Sequence, residues 1–151
     1  MDAQRRIALP AAWRGASDSD RAFMLLPHEQ PCIHMMPRAL FDKLAPRLEE
    51  ELLANPLAVV ALGSLAGASA EVVVDKQGRF ALTPALMAHA GITDRVLMVG
   101  TAFSITLWSP EVWEARRQGG AEASRVIPAA AVRPDRLGQA FRDAMGVPSQ
   151  G

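Results

Sequence analysis

Short apolar runs separated by turn-forming residues recur along most of this chain. Glu71-Val72-Val73-Val74 is largely β-branched, Asp75-Lys76-Gln77-Gly78 carries turn residues, and Arg79-Phe80-Ala81-Leu82 resumes an extended run, a pattern that predicts a β-hairpin. Thr83 suits an N-cap, Pro84 the first helical position and Gly91 the left-handed residue that ends a helix, so 83–91 reads as a short capped helix. Segments 96–100 and 104–108 read as strands. Ser109-Pro110-Glu111 then repeats the N-cap, proline and acidic first-turn pattern ahead of Val112 and Trp113. Upstream, 37–55 reads as a helix disturbed at Pro46, and 56–65 as a further helix. From Gln118 the chain turns Ala-, Pro- and Gly-rich, with a helix expected at 135–145.

The same pattern occurs twice. Asp2-Ala3-Gln4-Arg5-Arg6-Ile7-Ala8-Leu9-Pro10 lines up with Asp75 to Thr83, both reading Asp-x-x-x-Arg, an apolar residue, Ala and Leu. Asp20-Arg21-Ala22-Phe23-Met24 matches Asp94-Arg95-Val96-Leu97-Met98, and Cys32 to Asp42 matches Ser104 to Glu114 in type. The three blocks keep their order at offsets of 73, 74 and 72 residues, so only small loop changes separate the copies. Each copy reads as a strand ending in Asp-x-x-x-Arg, a short strand, a short helix, two strands and a closing helix. The expected division is a first repeat over 1–54, a second over 55–117 and a C-terminal helix or tail over 118–151. Asp2 directly follows Met1, so the first repeat is expected to lack the counterpart of 70–74, and its loop to present Arg6 less firmly.

Composition narrows the class without naming a partner. A chain of 151 residues, half of them apolar, supports an ordinary core with neither disulfides nor metals. The 16 basic and 16 acidic residues cancel, and no segment is strongly basic: 1–54 holds 7 against 8, 55–117 holds 5 against 5, and 118–151 holds 4 against 3. Any nucleic-acid surface must therefore concentrate a few arginines locally or multiply them by oligomerisation. No apolar run reaches the roughly 20 residues that cross a bilayer. The single cysteine, Cys32, and the absence of a leader-like N-terminus point to the cytoplasm.

No catalytic signature is present, since Gly-x-Ser-x-Gly, a phosphate loop, His-Glu-x-x-His and paired inward carboxylates are all missing; the expectation is a non-enzyme with no cofactor and no small-molecule substrate. His28, Cys32 and His34 invite a metal reading, but Cys32 and His34 align with Ser104 and Thr106 on one strand face, and their spacing matches no zinc module. The expectation is no metal, with position 32 a small, partly exposed site. His89 reads as a helix-end residue that caps carbonyls or lies on the surface. Trp13, Trp108 and Trp113 read as core packing rather than base stacking.

The residues that carry most information resemble the MraZ family of bacterial regulators. The second repeat supplies Val74-Asp75-Lys76-Gln77-Gly78-Arg79, Pro84-x-Leu86-x-x-His89-Ala90-Gly91-Ile92, Val96 to Gly100 and Leu107-Trp108-Ser109-Pro110-Glu111-Val112-Trp113. The first supplies Asp2-x-x-x-Arg6-x-x-x-Pro10-x-x-Trp13-Arg14, and the likeness covers residues 2 to about 117. It implies an α+β fold, a swapped-hairpin β-barrel of the AbrB/SpoVT type built from two tandem repeats with short helices. It also implies a ring-like homo-oligomer, double-stranded DNA as partner at promoter repeats near division and cell-wall genes, and a nucleoid location without membrane contact. The family's signature falls here on Asp2, Arg6, Asp75 and Arg79. From the residues themselves, Lys76, Arg5 and Arg14 read as phosphate contacts for DNA, against the plainer reading of exposed cations as merely solvated. The usual glycine before the motif arginine is Gly78 in one copy and Arg5 in the other; positive φ at Arg5 would cost about 1 kcal/mol.

Two readings of the motif arginines stay open: a guanidinium offered to phosphates or base edges, or one that only fixes its own aspartate and turn. The leading function is a sequence-specific DNA-binding transcriptional regulator. The alternative is a degenerate structural or protein-interaction barrel without DNA binding, which the neutral charge and Arg5 favour.

Overall fold

The computed structural model describes residues 1–14, 18–53, 56–100 and 104–123, and the expected helix at 135–145 lies outside them. Residues Met1–Trp113 form one compact unit, distinct from the residues that follow it. Among the described residues the strands are β1 (Arg6–Ala8), β2 (Ala22–Pro27), β3 (Ile33–Pro37), β4 (Ala70–Val73), β5 (Arg79–Ala81), β6 (Leu97–Gly100) and β7 (Ile105–Trp108). The helices are α1 (Arg38–Leu53), α2 (Pro56–Ala68), α3 (Pro84–Ala90) and α4 (Pro110–Ala123). None is long and apolar enough to cross a membrane.

Local chemistry accounts for the best-formed elements. The Thr83 hydroxyl accepts from the Leu86 N–H at 3.3 Å, which satisfies one of the donors that the start of α3 leaves over. At its other end Gly91 takes φ 61°, and the Gly91 and Ile92 N–H groups donate to the Ala88 and Met87 carbonyls, a Schellman closure. Among the described residues the first repeat has a 3-10 turn, Ala11–Trp13, at the start of the matching place, where Pro10 provides no side-chain acceptor to cap it. Helix α1 runs through Pro46.

The expected hairpin at 71–82 is corrected by the pairing. The turn itself forms, with Gly78 N–H donating to the Asp75 carbonyl and Asp75 N–H to the Arg79 carbonyl, both at 2.8 Å. The flanking strands then part company. β4 pairs antiparallel with β2, Phe23 opposite Val72, while β5 pairs antiparallel with β1, Ile7 opposite Phe80. The turn therefore hands the chain from a five-stranded sheet, ordered β4-β2-β3-β7-β6, to the separate β1-β5 ribbon. This mixed α+β arrangement of antiparallel strands is not a closed barrel, since β4 and β6 end the larger sheet without meeting.

Alternation with period two selects the core. β2 buries Phe23 and Leu25, β3 Ile33 and Met35, β7 Ile105 and Leu107, and the ribbon Ile7 and Phe80. Leu9, Leu82, Leu86, Ala90 and Ile92 complete the same cluster, so both repeats share one core. At about 25 cal/mol per Å², burying each large apolar side chain contributes roughly 1.5–3 kcal/mol, enough to hold two short ribbon strands that would not persist alone. The registers of β1-β5 and β3-β7 are each symmetric, about Ile7–Phe80 and His34–Thr106. Cys32 is buried rather than partly exposed, only 1% accessible.

Candidate nucleic-acid interface

Each Asp-x-x-x-Arg motif forms the same closed loop at one end of the ribbon. In the first, an Asp2 carboxylate oxygen accepts from the backbone N–H groups of Gln4 at 3.0 Å and Arg6 at 2.8 Å. Its other oxygen accepts from Arg6 Nε at 2.8 Å, and Arg6 Nη2 donates to the Gln4 side-chain carbonyl at 2.6 Å. In the second, Asp75 accepts from Arg79 N–H at 2.8 Å and from Arg79 Nε at 3.1 Å, and Arg79 Nη2 reaches the Gln77 carbonyl at 3.5 Å. Backbone N–H donation from the motif arginine is the main reason that both aspartates titrate below the ordinary carboxylate range; burial opposes it as the next largest influence, and the paired guanidinium lowers them further.

The residue before each arginine has positive φ, 58° at Arg5 and 81° at Gly78. Arg5 is thus in the left-handed conformation that its loop demands. Gly78 has a second reason to be glycine: a Cβ there would lie 2.0 Å from Cζ of Arg14. The Arg14 guanidinium takes that place and donates from Nε to the Leu9 carbonyl at 2.7 Å.

The ribbon turns both motif arginines the same way. Arg6 stands opposite Ala81 and Arg79 opposite Ala8, with Ile7 and Phe80 buried between them on the other face. Leu9 N–H to the Gly78 carbonyl and Leu82 N–H to the Arg5 carbonyl extend the ladder symmetrically. Both arginine side chains remain about a third exposed, 35% and 36%, beside small alanines that leave room around them. Solvent screens such exposed pairs, so the clamp orients each guanidinium more than it strengthens the fold. The expectation that the first loop presents its arginine less firmly differs from this geometry, in which Arg6 has the shorter contacts.

Among the other sequence candidates, Arg5 and Lys76 are exposed loop residues. Gln4 and Gln77 were missed, although the alignment already placed glutamine third in both motifs. Arg14 and Arg21 come beside the second loop only through the fold. The three histidines are engaged elsewhere. His34 Nε2 bonds Ser104 at 2.5 Å, and His28 Nδ1 accepts from Gln30 N–H at 3.0 Å. His89 Nε2 bonds the His28 carbonyl at 2.8 Å, tying α3 to the β2–β3 connection rather than to its own helix end. Among the described residues no three His, Cys, Asp or Glu are grouped to hold a metal ion. Trp108 is buried and meets Trp113 edge to face at 5.3 Å.

Residues 65–132 match the family model described as "MraZ protein, putative antitoxin-like". The chain is 31% identical over 119 residues to the transcriptional regulator MraZ of Caulobacter vibrioides, covering 78% of this chain and 76% of the relative. It is 32% identical over 127 residues to that of Phenylobacterium zucineum, covering 83% and 79%. A more distant relative, from Pseudoalteromonas translucida, is 26% identical over 129 residues, covering 83% and 85%. With the shared identity spread across most of both chains, and both Asp-x-x-x-Arg loops formed, this chain belongs to the MraZ family.

Proposed function

We propose that this protein is a sequence-specific transcriptional regulator that binds double-stranded DNA through the β1-β5 ribbon. The observation that carries the reading is the pair of equivalent loops, each clamping an arginine by aspartate and glutamine and leaving it on one open face. Adjacent strands lie about 5 Å apart and two strand residues span roughly 7 Å, so the two arginine Cα atoms are on the order of 8 Å apart. That separation is about two base-pair steps at roughly 3.4 Å each. A two-stranded ribbon fits the major groove, where a guanidinium fork matches the acceptor edge of guanine. The clamp reduces the entropy each arginine loses on contact.

The exchange of β4 and β5 between the two sheets supports a swapped-hairpin arrangement of the two repeats. On this reading a neutral chain needs a self-assembled ring to multiply these loops along repeated promoter sites near division and cell-wall genes, in a cytoplasmic, nucleoid-associated setting. Fluorescence anisotropy with duplexes carrying candidate promoter repeats tests the reading. Arg79→Ala and Arg6→Ala should each weaken binding by about 1–3 kcal/mol per contacting subunit, with little change in thermal midpoint. Undiminished binding by the double variant would refute it and leave a structural or protein-interaction role as the better account. Light scattering tests the ring: a monodisperse monomer at micromolar concentration contradicts it.

A further inference from the structure

Beside the second loop lies a cavity of about 90 Å³ bordered by three cations, Arg14, Arg21 and Lys76. Phe23 and Val74, both buried, close its inner side. Asp75 also borders it, but its carboxylate oxygens already accept from Arg79 N–H and Nε, so its charge is compensated within the loop. Arg14 is held before any ligand arrives, by its bond to the Leu9 carbonyl and by its seat against Gly78. A water needs roughly 10–15 Å³ measured in the same way, so the space admits the four oxygens of a phosphate.

We propose that this cavity seats one phosphodiester of the DNA backbone, fixing the register in which the neighbouring Arg79 meets the bases; the assignment rests on the DNA-binding reading above. Phosphate contacts position a protein on the duplex while base contacts specify sequence. The seat belongs to the second loop alone. Under the repeat alignment the counterparts of Arg14, Arg21 and Lys76 are Met87, Arg95 and Ala3, so two of the three cations are replaced by uncharged residues. Each chain therefore brings one such seat, and the two loops of one chain are inequivalent toward the backbone.

Two measurements on the full chain test this. In the first, thermal midpoints are followed as sodium phosphate replaces sodium chloride at equal ionic strength. The midpoint should rise more for the wild type than for Arg14→Ala and Lys76→Ala, which keep only the general stabilisation that phosphate gives a folded protein. In the second, affinity for a specific and an unrelated duplex is measured against salt. Both variants should lose affinity equally on the two duplexes, and their slope of log affinity against log salt should be shallower by about 0.9 per chain. Lys76, at an exposed loop tip, keeps the test decisive where Arg14→Ala also loosens the Leu9 tie. Unchanged slopes in both variants overturn the assignment. A reduced phosphate response with unchanged slopes shows a seat for free phosphate and likewise overturns the DNA source. Failure of the wild type to bind any duplex refutes the DNA-binding reading and this assignment with it, while the phosphate titration still reports on the cavity.

Discussion

Gly78→Ala should destabilise this protein through two separable effects. The first is backbone: a side chain at φ 81° costs roughly 1–2 kcal/mol, less about 0.5–1 kcal/mol for the unfolded-state freedom that alanine lacks. The second is steric, because the new Cβ would stand 2.0 Å from Arg14 Cζ and expel the guanidinium from its bond to the Leu9 carbonyl. Losing that hydrogen bond costs about 1 kcal/mol. The total is about 1.5–2 kcal/mol, or roughly 3–8 °C in thermal midpoint for a chain of this size. A double-mutant cycle with Arg14→Ala isolates the steric part: with the guanidinium gone only the backbone effect remains, so the double variant should fall short of additivity by about 1 kcal/mol. Chemical denaturation followed by circular dichroism supplies the four free energies. The mirror experiment is Arg5→Gly, which relieves the strain at φ 58° and should stabilise by about 0.5 kcal/mol after the entropy of glycine is subtracted. A neutral Gly78→Ala, or strict additivity with Arg14→Ala, would refute the claim that this glycine is required by both its conformation and its neighbour.

Thr83→Ala removes the hydroxyl that caps α3 and should cost about 1 kcal/mol in denaturation experiments; a loss under 0.3 kcal/mol would mean that Pro84 and Gly91 suffice. Because Asp2 and Asp75 titrate below their usual range when folded, their contribution is complete above about pH 4 and is lost as pH falls through the lower folded values, so Asp75→Asn should flatten the acid limb of the stability curve. His34 titrates below the ordinary histidine range, mainly through burial and secondarily through His28, so the folded protein binds fewer protons than the unfolded chain. Stability should therefore drop as pH falls below about 6.5, and His34→Gln should remove that dependence in midpoints measured from pH 7.5 to 5.5. Leu25→Ala, at a side chain with no exposed surface in the shared core, should cost about 2–5 kcal/mol, and a smaller loss would mean that the two sheets close readily over the cavity.

Much of this protein is legible one segment at a time. The Thr83, Pro84 and Gly91 signals placed α3 because caps and left-handed closures depend on residues within a turn or two. Short apolar runs placed β6 and β7, and in β7 the alternation of Ile105, Thr106 and Leu107 also fixed the buried face, because that follows from a strand's own side chains. The repeated Asp-x-x-x-Arg motif announced two equivalent loops, since both of its ends lie inside five residues. What lay beyond local reading was partnership. Val72 and Phe80 look equally ready to pair across Asp75–Gly78, and the tertiary structure sends one to Phe23 and the other to Ile7 because burying both repeats in one core outweighs a two-stranded hairpin, which is marginal alone. The same non-local choice buried Cys32, left the larger sheet open at β4 and β6, and carried Arg14 and Arg21 to the second loop and not the first. Sequence sets the period and the punctuation, through hydrogen bonds and dihedral limits that act over a few residues; which edges meet is settled by competition among distant apolar faces, and that competition has no trace in any single segment.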